Sequence, residues 1–380
     1  MEHDNDSETT IDTLTIHRSV RTVIRGAMGN NEILRHVEHI VDALSREVVS
    51  AAYHNSQVRK VNEVYLPHVR HVVAQLKDHD KINTDFQHIL MRLLQCTVSY
   101  LINSGTFQGT KDFAQMAVSI SETIHGTEHP NTANSLNILA GLYKKQGQYD
   151  EAESLHQRAL LINGKRLEQQ HSGTASTLYN LAGLYFNQKK YEKAEPLYQK
   201  VLTMYEKVLE PTDTAKIMNN LALLYNEKGK YDMAKPLYQR ALAICEKILG
   251  PEHPETATTL NNLGGLFQSQ GKYCEAGPLF EKALAIRKKV LGSEHPDTAI
   301  SLNNLGRLYF IQRRYDEAEQ LYQQALAILE KVLGPERPNT AVTQRNLANL
   351  YEIFIKNTSD GLLVTFYRYR LILSIIYKYN

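Results

Sequence analysis

Residues 250–292 read GPEHPETATTLNNLGGLFQSQGKYCEAGPLFEKALAIRKKVLG, and this stretch decides the fold. Leu260, Leu263 and Phe267 stand at i, i+3 and i+7, one face of a helix. Gly271-Lys272-Tyr273 interrupts that face. A second helical face follows in Ala276, Leu279, Phe280, Ala283, Leu284 and Ile286. Gly292 suits the position just past a helix end, and Pro296 the first turn of the next helix. The unit is a pair of amphipathic helices.

The pair recurs along the chain. His-Pro-x-Thr-Ala occurs at 129–133, 253–257 and 295–299, with weaker copies at 171–175 and 337–341. Tyr143, Tyr185, Tyr225, Phe267, Tyr309 and Tyr351 mark one position per copy, 42, 40, 42, 42 and 42 residues apart. One first-helix position stays small, as Ala140, Ala182, Ala222, Gly264, Gly306 and Ala348. A second-helix position does the same, as Ala152, Ala194, Ala234, Ala276 and Ala318. Small residues at fixed points let two helices approach while a partner aromatic fills the space beside them. One pair cannot bury its own apolar face, so successive copies must stack.

The sequence therefore predicts an all-α fold, a right-handed superhelix (α-solenoid). About six helix pairs plus a final single helix are expected over 86–356, with 86–128 as a degenerate first copy. A small helical segment, 1–85, precedes the array, and an apolar tail, 357–380, replaces the second helix expected at its end. That tail reads as a cap, an interfacial segment or sequence unrelated to the repeat. Pro196, Pro236 and Pro278 sit early in second helices, where the missing N–H is expected to leave no carbonyl waiting.

Composition narrows the function. Of 380 residues, 43 are Lys or Arg and 41 Asp or Glu, a net charge of +2. That balance argues against a nucleic-acid wrap or a polybasic membrane patch. Cys96, Cys245 and Cys274 lack Cys-x-x-Cys spacing, so neither structural zinc nor a redox pair is expected. The opening MEHDNDSETT is no signal peptide, and Leu362 to Tyr377 is short and carries Arg368 and Arg370. A cytoplasmic protein without a membrane span is the expectation.

Catalytic signatures do not assemble. The string Gly105 to Lys111 has the wrong spacing for a phosphate loop. The pairs His36/His39 and His68/His71 have no nearby Cys or acidic pair, beyond Glu38, to complete a metal site. No Gly-x-Ser-x-Gly elbow and no His-Glu-x-x-His occur. The recurring His129, His253 and His295 read as loop geometry. No enzyme, cofactor or metal is expected.

What is left is a surface. First helices are expected to line the concave face of such a stack. Asn180, Asn219, Asn220, Asn261, Asn262, Asn303, Asn304 and Asn346 fall beside the small position. An amide both donates and accepts, so a row of Asn can bind the backbone of an extended peptide whatever its side chains. The competing reading has these Asn bridging neighbouring repeats. Lys144, Lys216, Arg307 and Arg345 give the same faces a positive excess suited to acidic or C-terminal peptide motifs. Gly141, Gly183 and Gly265 would leave hollows between them.

The small/aromatic pattern resembles the tetratricopeptide repeat. LGPEHPETATTLNNLGGLF with RYDEAEQLYQQALAILEKVLG looks like the repeat domain of kinesin light chains, over about 130–356. That resemblance implies a cargo adaptor whose matching Asn residues hold extended peptides. Heptads of the kind that attach those proteins to kinesin heavy chain are missing, so that partner is in doubt. Leu14 to Arg25 and Tyr65 to Arg70 are similar to the junction between winged helix and repeats in NB-ARC proteins. This second resemblance implies the sensor or oligomerisation arm of such a signalling ATPase.

Overall fold

The computed structural model describes residues 84–104, 109–164, 171–208, 211–334 and 338–357. Nearly all of the expected head and tail lies outside them, as do His36, His39, His68 and His71. The described residues form thirteen helices and no strand. They are α1 (Thr84–Ser104), α2 (Thr110–His125), α3 (Pro130–Lys145), α4 (Tyr149–Gly164) and α5 (His171–Asn187). There follow α6 (Tyr191–Val208), α7 (Pro211–Glu227), α8 (Tyr231–Ile248) and α9 (Pro254–Ser269). The last are α10 (Tyr273–Leu291), α11 (Pro296–Ile311), α12 (Tyr315–Leu333) and α13 (Pro338–Asn357). The chain divides into two compact units, residues 1–184 and 185–380, with the division inside α5. The all-α solenoid expected from the sequence is what the helices build.

The His-Pro-x-Thr-Ala motif is a helix start with three jobs. Its His is the N-cap: Nδ1 of His129, His253 and His295 accepts the N–H of Asn131, Glu255 and Asp297, at 3.1, 3.1 and 3.0 Å. Its Pro opens the helix, where no N–H is needed. Its Thr donates to the carbonyl of the Gly ending the previous second helix, Thr256 to Gly250 at 2.8 Å and Thr298 to Gly292 at 2.9 Å. Loop geometry, expected of these His residues, is their role. Burial first, with nearby Arg287, holds the His295 imidazole below its ordinary range, against the opposing pull of Asp297.

A second device closes each pair. Lys272 N–H reaches Phe267 O at 2.8 Å and Gly271 N–H reaches Gln268 O at 3.0 Å, a Schellman turn. It needs a left-handed residue, and Gly147, Gly229 and Gly271 supply it at φ 77°, 70° and 74°. In two copies a side chain is forced into that conformation, Lys189 at φ 59° and Arg313 at φ 63°.

Packing within a pair follows the small/aromatic rule. A Cβ added to Gly264 would stand 3.1 Å from the Phe280 ring, and one on Gly306 3.0 Å from the Tyr322 ring. Between pairs, Ala276, Phe280 and Leu284 of α10 share one core with Leu302, Leu305 and Leu308 of α11 and with Ile328 and Leu329 of α12. The expectation for the prolines is corrected. Ala194 N–H already bonds Lys190 O, so Pro196 falls two residues inside the ladder and leaves the Glu192 carbonyl without its donor. Pro196 and Glu192 are exposed, which lets water serve that carbonyl instead.

Candidate functional site

In each copy two consecutive positions precede the small residue, and the structure gives them different work. In three copies, at Asn137, Asn219 and Asn303, the first position turns inward. Asn219 and Asn303 are only 6% and 8% exposed. Asn219 Nδ2 donates to Thr259 Oγ1 of the next first helix at 2.7 Å. In the N-terminal unit Asn137 does the same to Thr177 at 2.8 Å. These first-position residues bridge neighbouring repeats, the competing reading of the Asn pattern.

The second position stays half-buried at Asn180, Asn220, Asn262, Asn304 and Asn346. Asn180 belongs to the N-terminal unit and the other four to the C-terminal one. Asn304 Nδ2 donates to Asn261 Oδ1 at 3.0 Å, and Asn346 Nδ2 to Asn303 Oδ1 at 2.9 Å. Each bond crosses from one first helix to its neighbour and fixes which way the amide faces. Asn261, also half-buried, is an acceptor in that row. Gly265 would meet nothing within 4 Å if it carried a Cβ, so the hollow expected beside the row is present there.

The four cations differ in setting. Lys216 is exposed and pairs with Asp213 one turn away at 3.2 Å. Arg345 is exposed on α13. Arg307 is exposed, and its Nη2 donates to Gln268 Oε1 at 3.3 Å. Lys144 lies apart in the N-terminal unit. Burial, then the charge of Lys145, pulls its ammonium down to about 8. Its charge in turn helps burial hold His156 down to about 4. His156 is 1% exposed, with Nδ1 at 2.9 Å from Asn137 Oδ1.

A pocket of ≈370 Å³ opens in the C-terminal unit, with Arg307, Gln268, Asn346 and Asn349 as polar lining and Phe310 and Ile311 as apolar walls. Two predicted residues, Arg307 and Asn346, meet there. Gln268 was not among the candidates. It is 6% exposed, and its Nε2 donor has no partner. No pattern in the sequence marks it, because the equivalent residues Lys144, Phe186, Asn226 and Phe310 share no chemistry.

Among the described residues no three metal-donor side chains are grouped to hold an ion. His125 stacks on His129 with ring centroids 4.5 Å apart, and His88 lies tilted against His125 at 4.8 Å. No described helix is long and apolar enough to cross a membrane.

Helix pairs repeated in register, three of them opened by the same His-Pro cap and five turned by the same Schellman bond, define a helical-repeat scaffold. The tetratricopeptide repeat model matches 103–163, 134–207, 173–247, 213–287, 266–331 and 308–358, so the chain belongs to the tetratricopeptide-repeat family. It is similar to a Podosopora anserina protein assigned to the kinesin light chains with nearly identical TPR-like repeats. Identity there is 30% over 54% of this chain and 98% of the other, at a TM-score of 0.45. It is similar in fold to a Pyrococcus horikoshii Signal Transduction ATPase with Numerous Domains carrying a tetratricopeptide repeat sensor. That match has 12% identity over 97% of this chain and 54% of the other, at 0.57. A third is NprR in complex with its cognate peptide NprX, 13% identical over 81% and 85%, at 0.54. No curated protein matches the sequence at a significant level.

Proposed function

We propose that the chain is a non-enzymatic protein-binding scaffold that holds extended peptide segments along its first helices. The observation that carries this is the second-position row. Asn262, Asn304 and Asn346 stand half-buried on the neighbouring helices α9, α11 and α13. Two of them are held by bonds to the preceding first helix, which use Nδ2 and leave the carbonyl oxygen for a peptide N–H. A peptide running across the helices meets one amide per repeat, and backbone recognition of this kind tolerates varied side chains. The likeness to NprR carries the fold, and its peptide NprX illustrates one use of such a fold.

The test is a peptide selected on the intact chain by display and then measured against Asn262→Ala/Asn304→Ala. Each lost backbone hydrogen bond is worth about 1 kcal/mol, so the double variant should bind about tenfold or more weakly. Unchanged affinity would refute the row.

The finer reading is a kinesin-light-chain-like cargo adaptor, favoured by the Asn-Asn pair and the loop sequence Leu249 to Thr256. It is tested by direct binding to kinesin heavy chain, and absence of binding ends it. The sensor arm of an NB-ARC-type ATPase is the second reading, favoured by Tyr65 to Arg70, which lies outside the described residues. Association with a nucleotide-binding protein that changes with ATP would move the assignment there.

A further inference from the structure

We infer that the joint between α10 and α11 is acid-sensitive: a proton on His295 breaks the cap of α11 beside a buried guanidinium and loosens the two helices.

Asp297, the second residue of α11, is held at both ends of its backbone. His295 Nδ1 accepts its N–H at 3.0 Å, and Arg287 Nη1 of α10 donates to its carbonyl at 3.0 Å. The same guanidinium donates to Ser301 Oγ at 2.8 Å and, across to α9, to Thr258 Oγ1 at 3.0 Å. Arg287 is 5% exposed, its three acceptors are neutral oxygens, and its Nε has no partner. The joint thus already holds one buried positive charge bonded to no carboxylate.

An imidazole nitrogen can accept a cap bond only while it carries no proton. Nδ1 accepts here, so the single proton of neutral His295 sits on Nε2. A proton from solvent must enter at Nδ1. It displaces the Asp297 N–H, leaves that donor unpaired and sets a second cation near Arg287. The His295 side chain is 14% exposed, so little water is at hand to solvate the new charge. Asp297 opposes this, with Oδ2 3.8 Å from Nδ1, but its side chain is 49% exposed and water screens it. From α9, Glu255 bears on Arg287, and from α12, Lys331 is committed to Glu294 at 2.7 Å. Burial first, against Asp297 and together with Arg287, leaves the imidazole below its ordinary 6.5. The unfolded ring keeps that ordinary value. The contribution of the cap is therefore complete above 6.5 and is lost as pH falls through the lower folded value.

Among the described residues the combination occurs once. His129 and His253 cap their helices by the same bond, but Ser121 and Cys245 stand where α10 has Arg287. The Asn304–Asn261 bond crosses the same joint, so acid acts on the proposed groove as well, although the joint opens whether or not a peptide is bound.

Hydrogen exchange of the full chain at about pH 7.5 and about pH 5, corrected for intrinsic rates, reads the opening of the first turn of α11. In the wild type the opening constant should rise about threefold or more over that interval. His295→Asn caps without titrating there, so its response should vanish. Asp297→Asn removes the opposing carboxylate and should enlarge the response. Arg287→Leu removes the cation and should shrink it, with Leu329 as precedent for Leu in that slot. Each response is a ratio within one variant, so differences in overall stability cancel. The first turn of α9, with His253 intact in every variant, gives the background. Circular dichroism confirms folding, and His295→Asn and Asp297→Asn decide the matter even where Arg287→Leu does not fold. Undiminished protection of wild-type α11 at pH 5, an equal response in His295→Asn, a response no larger in Asp297→Asn, or one no smaller in folded Arg287→Leu would overturn the inference.

Discussion

Replacing His156 by Phe should remove most of the acid sensitivity of the α3–α4 pair. His156 occupies the slot that Tyr198, Tyr238, Phe280 and Tyr322 fill in later copies, so an aromatic hydrocarbon ring fits the site. Asn137 Nδ2 is committed to Thr177, so Asn137 Oδ1 faces the imidazole and Nδ1 carries the proton. A second proton would have to enter on Nε2, in a 1%-exposed site already facing the Lys144 charge. Burial, and then Lys144, accordingly lowers the imidazole from 6.5 to about 4. Below 6.5 the unfolded chain takes up a proton that the folded chain refuses. The contribution is therefore complete above 6.5 and is lost as pH falls toward 4.

With those two values, moving from about pH 7 to about pH 5 costs the wild type about 2 kcal/mol at this residue. Phe cannot titrate, so the variant should lose about 2 kcal/mol less over the same interval. Its absolute stability at neutral pH is a poorer readout. Asn137 Oδ1 would lose its donor, as Asn219 Oδ1 already lacks one, while the ring gains apolar burial. Hydrogen exchange of α3 and α4, corrected for intrinsic rates, reads the local opening free energy at both pH values. His125, whose imidazole burial and then His129 and His88 push down, is present in both proteins and cancels. Equal losses of protection in wild type and variant would refute the reasoning.

Arg313→Gly should stabilise α11–α12 by about 1 kcal/mol, because φ 63° is strained for Arg and free for Gly; a urea melt of the full chain checks it. Gly306→Val should cost about 2–3 kcal/mol by driving into the Tyr322 ring, whereas Gly265→Ala, with nothing within 4 Å, should gain up to about 1 kcal/mol; thermal melts of the two, read side by side, should move in opposite directions. Thr256→Val should lose about 1–2 kcal/mol by stranding the Gly250 carbonyl, with exchange rising first at the start of α9.

The sequence made the fold readable because its signals are local. Period, breakers, the small positions and the capping His-Pro all act within one helix pair, and the pairs repeat. The candidate site was readable to the level of the helix face and no further. Asn303 and Asn304 are adjacent letters, yet one is 8% exposed and the other half-buried. Neighbours on a helix point about 100° apart, so a small rotation of the helix decides which of them meets the next repeat. That rotation is set by packing across 40 or so residues, which no window of sequence contains. The proline expectation failed for a related reason, since it depended on counting from a helix start that the cap defines. Gln268 was invisible because its meaning comes from Arg307, one repeat away.

Copying explains the scaffold, but it does not explain the interfaces. One slot on the second helices is held by Asn163, Cys245, Arg287 and Leu329 in different copies. Three of these reach the same place on the next first helix. Asn163 donates to Thr177 at 3.2 Å, Cys245 lies 3.9 Å from Thr259, and Arg287 donates to Ser301 at 2.8 Å. Arg287, 5% exposed, adds bonds to Asp297 O and Thr258 Oγ1, so it ties α9, α10 and α11 together through neutral oxygens. At Ser301, which Arg287 holds, the bridge made by Asn137 and Asn219 is not repeated, and Asn261 instead accepts from Asn304. Each joint thus has its own polar partners, and a buried group moved to another joint would lose them. Identical joints would allow the copies to stack in any order or with another chain's copies. Distinct ones favour a single order, and they also make the second-position Asn row differ from repeat to repeat.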